Sequence, residues 1–214
     1  MNPGTLVALA LVVAPVEPAK PVVENAQVAV WDVTWNGAST ATRFDRDTII
    51  VYLGSGTLET TGSDGVVQVA ARKPGDVEFV PKGAARRRRV SSGESVRAIL
   101  VEYRGASPPA LANTSGLPDA FDRPGIVNVL QNADVNVWRY SWEPGKRTPM
   151  HFHARDVVVV FLADGVLRST TPDGKSVLNP HTFGFSKFSP RGRIHYEELA
   201  EGQATAVLIE LKSG

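Results

Sequence analysis

Two of the four histidines in the chain lie one residue apart, in the segment GKRTPMHFHARD at residues 145–156. Side chains at alternate positions of a β-strand point to the same side, so a strand here would present His151 and His153 together. Neutral imidazole nitrogens are common ligands of zinc, iron, nickel and copper. The spacing of these histidines therefore predicts one side of a transition-metal site.

Another part of the chain repeats this segment without its histidines. Residues 43–65, RFDRDTIIVYLGSGTLETTGSDG, match residues 151–174, HFHARDVVVVFLADGVLRSTTPDG, with one residue inserted. Further along, a common offset of 109 residues relates Gly75, Pro81, Gly83 and Arg86 to Gly184, Pro190, Gly192 and His195. Matches at a nearly constant offset indicate an internal duplication. We assign the repeats to residues 25–103 and 126–214, and the Pro- and Gly-rich residues 104–125 to a linker.

Each repeat has the pattern of an all-β structure. The runs TIIVYL (48–53) and VVVVFL (157–162) are rich in β-branched residues and predict buried strands. Ser63-Asp64-Gly65 and Pro172-Asp173-Gly174 predict tight hairpin turns. No long stretch has a helical period, although a short helical turn is expected near residues 117–121. Short strands and Gly/Pro turns predict an antiparallel barrel or jelly roll in each half.

The spacing in the second repeat is typical of a known family. Gly145 is followed after five residues by His151 and then His153, and Gly184 leads through Pro190 and Gly192 to His195. This pattern resembles the two signature motifs of the cupin superfamily, GX5HXHX3–4EX6G and GX5PXGX2HX3N. The resemblance begins near residue 25 and identifies the chain as similar to a two-domain cupin, or bicupin, with a degenerate N-terminal half. It implies two tandem double-stranded β-helix (jelly-roll) barrels, with a divalent metal ion in the C-terminal one.

The chain departs from these motifs at the glutamate. Counting back from Gly165 places the motif glutamate at Val158, so the predicted metal ligands are His151, His153 and His195. The nearest carboxylate, Asp156, would either reach the metal through a shifted strand or accept a hydrogen bond from a ligand histidine. Because Asp47 recurs in the other repeat, we favour a structural role for both aspartates.

Two other groups of polar residues receive structural interpretations. His181, the fourth histidine, is predicted to lie in a turn and to bind no metal. In the first repeat, the ligand positions hold Arg43, Asp45 and Arg86. Because a guanidinium cannot coordinate a cation, we expect no metal there. We hypothesise that Arg43 or Arg86 now provides the interior positive charge, paired with Asp45.

The favoured function is a metal-dependent enzyme that acts on a small organic molecule. Three imidazole ligands resemble those of the cupin-like thiol and β-diketone dioxygenases, which favours dioxygenase-type chemistry over a lyase or isomerase. Fe(II) or Zn is the favoured metal, with Ni, Cu or Mn as alternatives. The candidate acid/base residues are Asp156, Tyr196, Glu197 and Glu198. The alternatives are a cupin that binds a metal or small ligand without catalysis, and a cupin in which the metal only stabilises the barrel.

Composition limits the other functions. The net charge is +1, and the run Arg86–Arg89 lacks a pattern of stacking aromatic residues, so no nucleic-acid partner is expected. The absence of cysteine excludes disulfides and thiolate chemistry.

Residues 5–14 form an apolar run that is too short to cross a bilayer, so no integral membrane segment is predicted. Residues 1–24 are predicted to be a signal peptide or an N-terminal arm. Export is favoured over a cytoplasmic location, and a homodimer is left open.

Overall fold

The computed structural model describes residues 20–38, 40–105 and 107–212, and every regular element in these ranges is a β-strand. The first nine strands are β1 (Val23–Glu24), β2 (Val28–Asn36), β3 (Thr40–Arg43), β4 (Thr48–Tyr52), β5 (Gly56–Gly62), β6 (Val67–Arg72), β7 (Val77–Val80), β8 (Ala85–Ser92) and β9 (Ser95–Tyr103). The other nine are β10 (Val127–Gln131), β11 (Val135–Trp142), β12 (His151–Phe152), β13 (Val157–Phe161), β14 (Gly165–Thr170), β15 (Ser176–His181), β16 (Ser186–Ser189), β17 (Ile194–Gly202) and β18 (Ala204–Leu211). The predicted all-β class is confirmed. Most of the predicted signal peptide or arm, residues 1–19, lies outside the described residues.

Each half of the chain consists of a five-stranded and a four-stranded sheet. The sheets of the first half have the orders β1-β2-β9-β4-β7 and β3-β8-β5-β6. Those of the second half have the orders β10-β11-β18-β13-β16 and β12-β17-β14-β15. The strands of these sheets pair antiparallel, and the two halves have the same strand order. This arrangement is the predicted pair of jelly-roll barrels.

The two halves share one apolar core. It contains Val28, Val30, Ile49, Val51, Leu53, Ile99 and Val101 from the first half, and Val135, Val137, Val158, Val160, Val207, Ile209 and Leu211 from the second. Their five-stranded sheets therefore pack face to face. The opposite faces of these sheets line the barrel interiors, where Trp35 and Trp142 are buried. Strands buried on both faces explain the continuous apolar runs in the sequence.

Two local predictions were wrong. Residues 117–121 form no helical turn, because Asp119 makes a parallel bridge with Phe152 and the chain then turns at Ala120 and Phe121. His181 ends strand β15 instead of lying in a turn, and its buried ring stacks on Phe161 with 3.9 Å between the centroids. No helix capable of crossing a membrane occurs in the described ranges.

Candidate metal centre

Two neighbouring strands bring the three predicted histidine ligands together. His151 on β12 lies directly opposite His195 on β17. His153 follows the end of β12, where its backbone N–H donates to the carbonyl of Arg193 at 2.9 Å. Its own carbonyl accepts from the N–H of Gly192 at 2.8 Å. The strand pairing and these backbone bonds therefore fix the position of each imidazole.

The three imidazoles converge through their Nε2 atoms. His153 Nε2 lies 3.2 Å from His151 Nε2 and 3.0 Å from His195 Nε2. All three side chains are buried, and one ligand atom from each lies within 4.8 Å of the others. Zn–N bonds of 2.0–2.1 Å in tetrahedral geometry would place neighbouring donor atoms about 3.3 Å apart. The spacing of these nitrogens therefore fits a single metal ion.

The surroundings of the histidines favour neutral imidazoles. His151 Nδ1 lies 2.8 Å from the carbonyl oxygen of Pro149, which only accepts hydrogen bonds, so the proton belongs on Nδ1 and the Nε2 lone pair is free. His195 Nδ1 lies 2.8 Å from the Ser169 hydroxyl. Burial lowers the pKa of His195 to about 4, lowers that of His151 and lowers that of His153 further. The donor set thus fits a divalent ion, which such neutral nitrogens bind directly.

The residue at the position facing the histidines is Val157, which corrects the assignment of the motif glutamate to Val158. Side chains of β13 alternate, so Val157, Val159 and Phe161 pack in the barrel interior. Val158 belongs to the core shared by the two halves and points away from the histidines. With three residues after His153 instead of four, the motif position falls on Val157. The chain has a valine at either position, so this strand provides no carboxylate.

Of the candidate acid/base residues on β17, only Glu197 faces the interior. It lies two residues after His195 and lines the same cavity as His153. Burial would raise the pKa of its carboxyl, but the charges of His195, Arg123 and other neighbours lower it. Glu198 points outward and forms a salt bridge with Arg168 at 2.7 Å. Tyr196 also lies on the outer face, 5.2 Å below the guanidinium of Arg147.

Asp156 lies outside the histidine cluster. Its Oδ1 accepts from the backbone N–H of Arg191 at 2.7 Å, and its Oδ2 accepts from Gln27 Nε2 at 3.0 Å. Asp47 makes the equivalent bond in the first half, where its Oδ1 accepts from the N–H of Lys82 at 2.7 Å. These bonds agree with the structural interpretation of both aspartates and leave Asp156 without a contact to the ligand histidines.

The barrel interior of the first half differs from the sequence prediction. Arg86 lies opposite Thr42, as His195 lies opposite His151, and Phe44 takes the place of His153. Arg43 and Asp45 form a salt bridge at 3.2 Å, but their side chains are 75% and 79% exposed. The hypothesis of an interior charge paired with Asp45 is therefore wrong. The sequence match placed the inserted residue incorrectly, and a shift of one residue moves a side chain to the other face of its strand.

The interior charges of the first half are centred on Glu78. Its carboxylate forms salt bridges with Arg72 and Arg88 at 3.1 Å and with Arg86. It also accepts a hydrogen bond from the hydroxyl of Tyr52 at 2.5 Å. Arg88, which is 1% exposed, lies over the rings of Trp35 and Phe44. In place of metal ligands, this barrel contains a carboxylate with three paired guanidiniums.

Three basic residues near the histidines were not predicted from the sequence. Arg123, Lys187 and Arg193 line the interior cavity with His153 and Glu197. Lys187 lies on β16, two residues before Ser189, and Arg193 lies immediately before β17, two residues before His195. Side-chain alternation counted from Ser189 and from His195 would have placed both inside. Arg123 comes from the predicted linker, which has no periodic pattern, so no signal in the sequence indicated it.

Comparisons with known proteins support the fold. No protein-family model matches the chain. A segment of 54 residues, 24% of the chain, is 44% identical to the Beta-alanine degradation protein BauB of Pseudomonas aeruginosa and spans 57% of that protein's length.

Three solved structures resemble most of the chain. AerE from Microcystis aeruginosa has a TM-score of 0.61 at 14% identity, covering 90% of this chain and 96% of that one. A Cupin 2 conserved barrel domain protein from Leptotrichia buccalis has a TM-score of 0.54 at 13% identity, with coverages of 90% and 87%. Oxalate decarboxylase from Bacillus subtilis, described with Mn(II) centres, has a TM-score of 0.61 at 10% identity, with coverages of 88% and 70%. Together with the strand order of both halves, these likenesses show that the chain has the fold of the bicupins, the two-domain proteins of the cupin superfamily.

Proposed function

We propose that the chain is a metal-dependent cupin enzyme that acts on a small organic molecule, with one divalent ion held by His151, His153 and His195. The observation that carries the proposal is the convergence of three buried imidazoles, in which His153 Nε2 lies 3.2 Å from His151 Nε2 and 3.0 Å from His195 Nε2. The lone pairs of neutral Nε2 atoms that face each other cannot satisfy one another, whereas one cation can bind all three.

Three protein ligands leave coordination positions open for a substrate, which is typical of catalytic metal sites. A divalent ion would supply Lewis acidity and, in the case of iron, oxygen chemistry. Dioxygenase-type chemistry is favoured over lyase or isomerase chemistry because three protein ligands leave room for both substrate and oxygen. Glu197 is the candidate carboxylate that faces the interior, and its lowered pKa keeps it ionised, which is the form that accepts a proton.

The comparisons support a metal and a small-molecule role. The oxalate decarboxylase neighbour contains Mn(II), so manganese joins iron and zinc among the ions to test. The partial relative is named for β-alanine degradation, which is a small-molecule reaction. The identity of the metal and of the substrate both belong to the proposal.

A second candidate is a cupin that binds a small ligand without turnover. Val157 and Val159 provide an apolar wall where a metal-binding carboxylate is expected, which favours this alternative. Oxygen consumption or product formation with the metal-loaded protein separates the two functions. Tight binding without product would favour the second.

Metal analysis of purified variants tests the centre. We expect the wild-type protein to bind one of iron, zinc or manganese stoichiometrically, and His153→Ala to lose it because one of three donors is removed. His181→Ala is the matched control, since His181 is a buried histidine of the same half outside the cluster. The proposal is wrong if the wild-type protein binds none of these ions, or if both variants retain them equally.

A further inference from the structure

The barrel interior of the second half contains guanidinium groups without carboxylate partners. Arg123 and Arg193 both line the cavity beside the histidines. Neither forms a salt bridge within the described part of the chain, and Arg123 Nε, Arg123 Nη1 and Arg193 Nε are buried without a hydrogen-bond partner there. Burial lowers the pKa of both groups, yet arginine remains protonated in proteins. Burying a charge without a partner costs free energy, so a bound anion would stabilise these guanidinium groups.

Among the residues that line this cavity, Glu197 is the one carboxylate, and it faces three cations, Arg123, Lys187 and Arg193. Lys187 is the second residue of β16 and Glu197 the fourth of β17, and each influences the pKa of the other. In the first half, the second residue of β7 is Glu78 and the fourth of β8 is Arg88, which form a salt bridge. The same two positions thus hold opposite charges in both barrels, with the signs exchanged. Three cations against one carboxylate leave the lining of this cavity with an excess of two positive charges, and Arg123 and Arg193 carry the donors that have no partner.

Both guanidiniums are held next to the histidine cluster. Arg193 Nη2 lies 3.4 Å from His153 Nε2, so it borders the point on which the three imidazoles converge. Arg123 is fixed by stacking, with its guanidinium carbon 4.1 Å from the centroid of Tyr140 and 5.8 Å from that of Trp142. An arginine side chain that is already fixed by stacking loses little more conformational entropy when its planar set of N–H donors binds a ligand.

We propose that the substrate of this site is a small organic carboxylate, whose carboxylate group is held by Arg123 and Arg193 beside the metal. The inference rests on the proposed function, because it names the substrate class of that metal centre. A guanidinium recognises a carboxylate through two parallel hydrogen bonds, which fixes its orientation as well as its charge. With a divalent ion present, the interior charge becomes more positive still, which strengthens the attraction to an anion.

The space beside the histidines limits the size of this carboxylate. The interior cavity measures about 20 Å³, little more than the 10–15 Å³ that one water requires. An open groove of about 500 Å³ shares Phe121 and His153 with the cavity and is also lined by Trp138 and Leu111. The cavity therefore has space for little more than the carboxylate group itself, and the shared residues Phe121 and His153 make the groove the nearest space for a short organic part.

Binding of acetate, compared with acetamide, tests the inference in the metal-loaded wild-type protein. The two probes have nearly the same shape, and only acetate carries a charge. At constant ionic strength, we expect acetate to raise the melting temperature in a saturable manner and acetamide to have no such effect. Arg123→Gln and Arg193→Gln should each weaken acetate binding about tenfold or more, because each removes a hydrogen bond between charged groups. Arg139→Gln, an exposed arginine of β11 in the same half, should bind acetate like the wild type.

Repeating the titration in metal-free protein separates this inference from the proposed metal centre. If the protein binds no divalent ion but acetate still depends on both arginines, the metal centre is wrong and the anion site stands. If metal binds but acetamide binds as well as acetate, or both arginine variants bind acetate as the wild type does, the carboxylate inference is wrong. The comparison of acetate with acetamide decides this even if an arginine variant does not fold.

Discussion

At the scale of single residues, the metal centre depends on the protonation of three imidazoles. Burial favours the neutral form of His151, His153 and His195, which is the form that binds a metal. The Pro149 carbonyl further selects the tautomer of His151 that directs a lone pair inward. The folded barrel therefore holds the three histidines in their metal-binding, neutral form before a metal ion binds.

The same burial predicts a pH dependence for the metal-free protein. The pKa of His195 is about 4 in the folded chain against 6.5 ordinarily, and the other two ligand histidines shift in the same direction. Between these values the unfolded chain binds more protons, so the free energy of unfolding falls as the pH drops from about 6.5 to about 4. Each histidine contributes at most about 1.4 kcal/mol per pH unit.

Urea denaturation of chelator-treated protein between about pH 7 and about pH 4 measures this dependence. A variant with all three ligand histidines changed to asparagine is the control, because it retains the titration of the carboxylates. The wild-type protein should lose more stability across the window than this variant. Equal slopes for the two proteins would contradict the assignment of lowered pKa values.

At the scale of the element, strand β13 separates two environments by alternation. Val157 and Val159 face the barrel interior, whereas Val158 and Val160 face the core between the halves. The apolar run VVVV conceals this difference in the sequence, because both faces are buried. The spacing from His153 allows either Val157 or Val158, and counting back from Gly165 selected Val158. The register of the strand instead places Val157 in the barrel interior.

Glutamate substitutions on β13 should therefore have opposite consequences. Val158→Glu buries an unpaired carboxylate in the shared apolar core and should destabilise the protein by about 3–5 kcal/mol. Val157→Glu places the carboxylate in the cavity with Arg123, Arg193 and the histidines, where it gains positive neighbours. We expect this variant to fold and to hold the metal ion more tightly, as a fourth ligand.

Urea denaturation and competition with a chelator measure the two effects. The variants are matched, since they differ only in which of two adjacent valines is replaced. If Val158→Glu folds normally and strengthens metal binding while Val157→Glu unfolds, the assigned faces of β13 are reversed.

At the scale of the whole molecule, the two barrels are coupled through one core. Fourteen buried apolar residues, seven from each half, form a single cluster between the five-stranded sheets. Separating the halves would expose both faces to water, at a cost of about 25 cal/mol per Å² of apolar surface. We therefore infer that the half without metal ligands stabilises the half that has them.

Metal loading should consequently stabilise both halves together. An ion present at about a hundred times its dissociation constant adds about 2.7 kcal/mol to the stability of whatever unfolds with its site. Scanning calorimetry should show one transition that moves to higher temperature as a unit when metal is added. Two transitions, of which only one moves, would show that the barrels unfold independently.

Much of this molecule was predictable from its sequence because the relevant signals are local. Period, turn residues and spacing indicated strands, hairpins and a barrel in each half, and the alternation of His151 and His153 indicated one side of a metal site. The inclusion of His195 came from the resemblance to the cupin motifs. Strand formation, turns and side-chain alternation depend on residues close together in the chain, so these features appear as short sequence patterns. The structural role of Asp156 also followed from the sequence, because Asp47 recurs where the histidines do not.

What only the tertiary structure decided is the composition of the barrel interiors. Sequence matching selected Val158 and Asp45 as interior positions, where the structure has Val157 and Phe44. Both predictions were wrong because a shift of one residue exchanges the faces of a strand. Arg123 approaches the site from an irregular segment, and Glu78 gathers three arginines from two other strands. Charges of this kind meet through packing between distant segments, and no local pattern records which of them become neighbours.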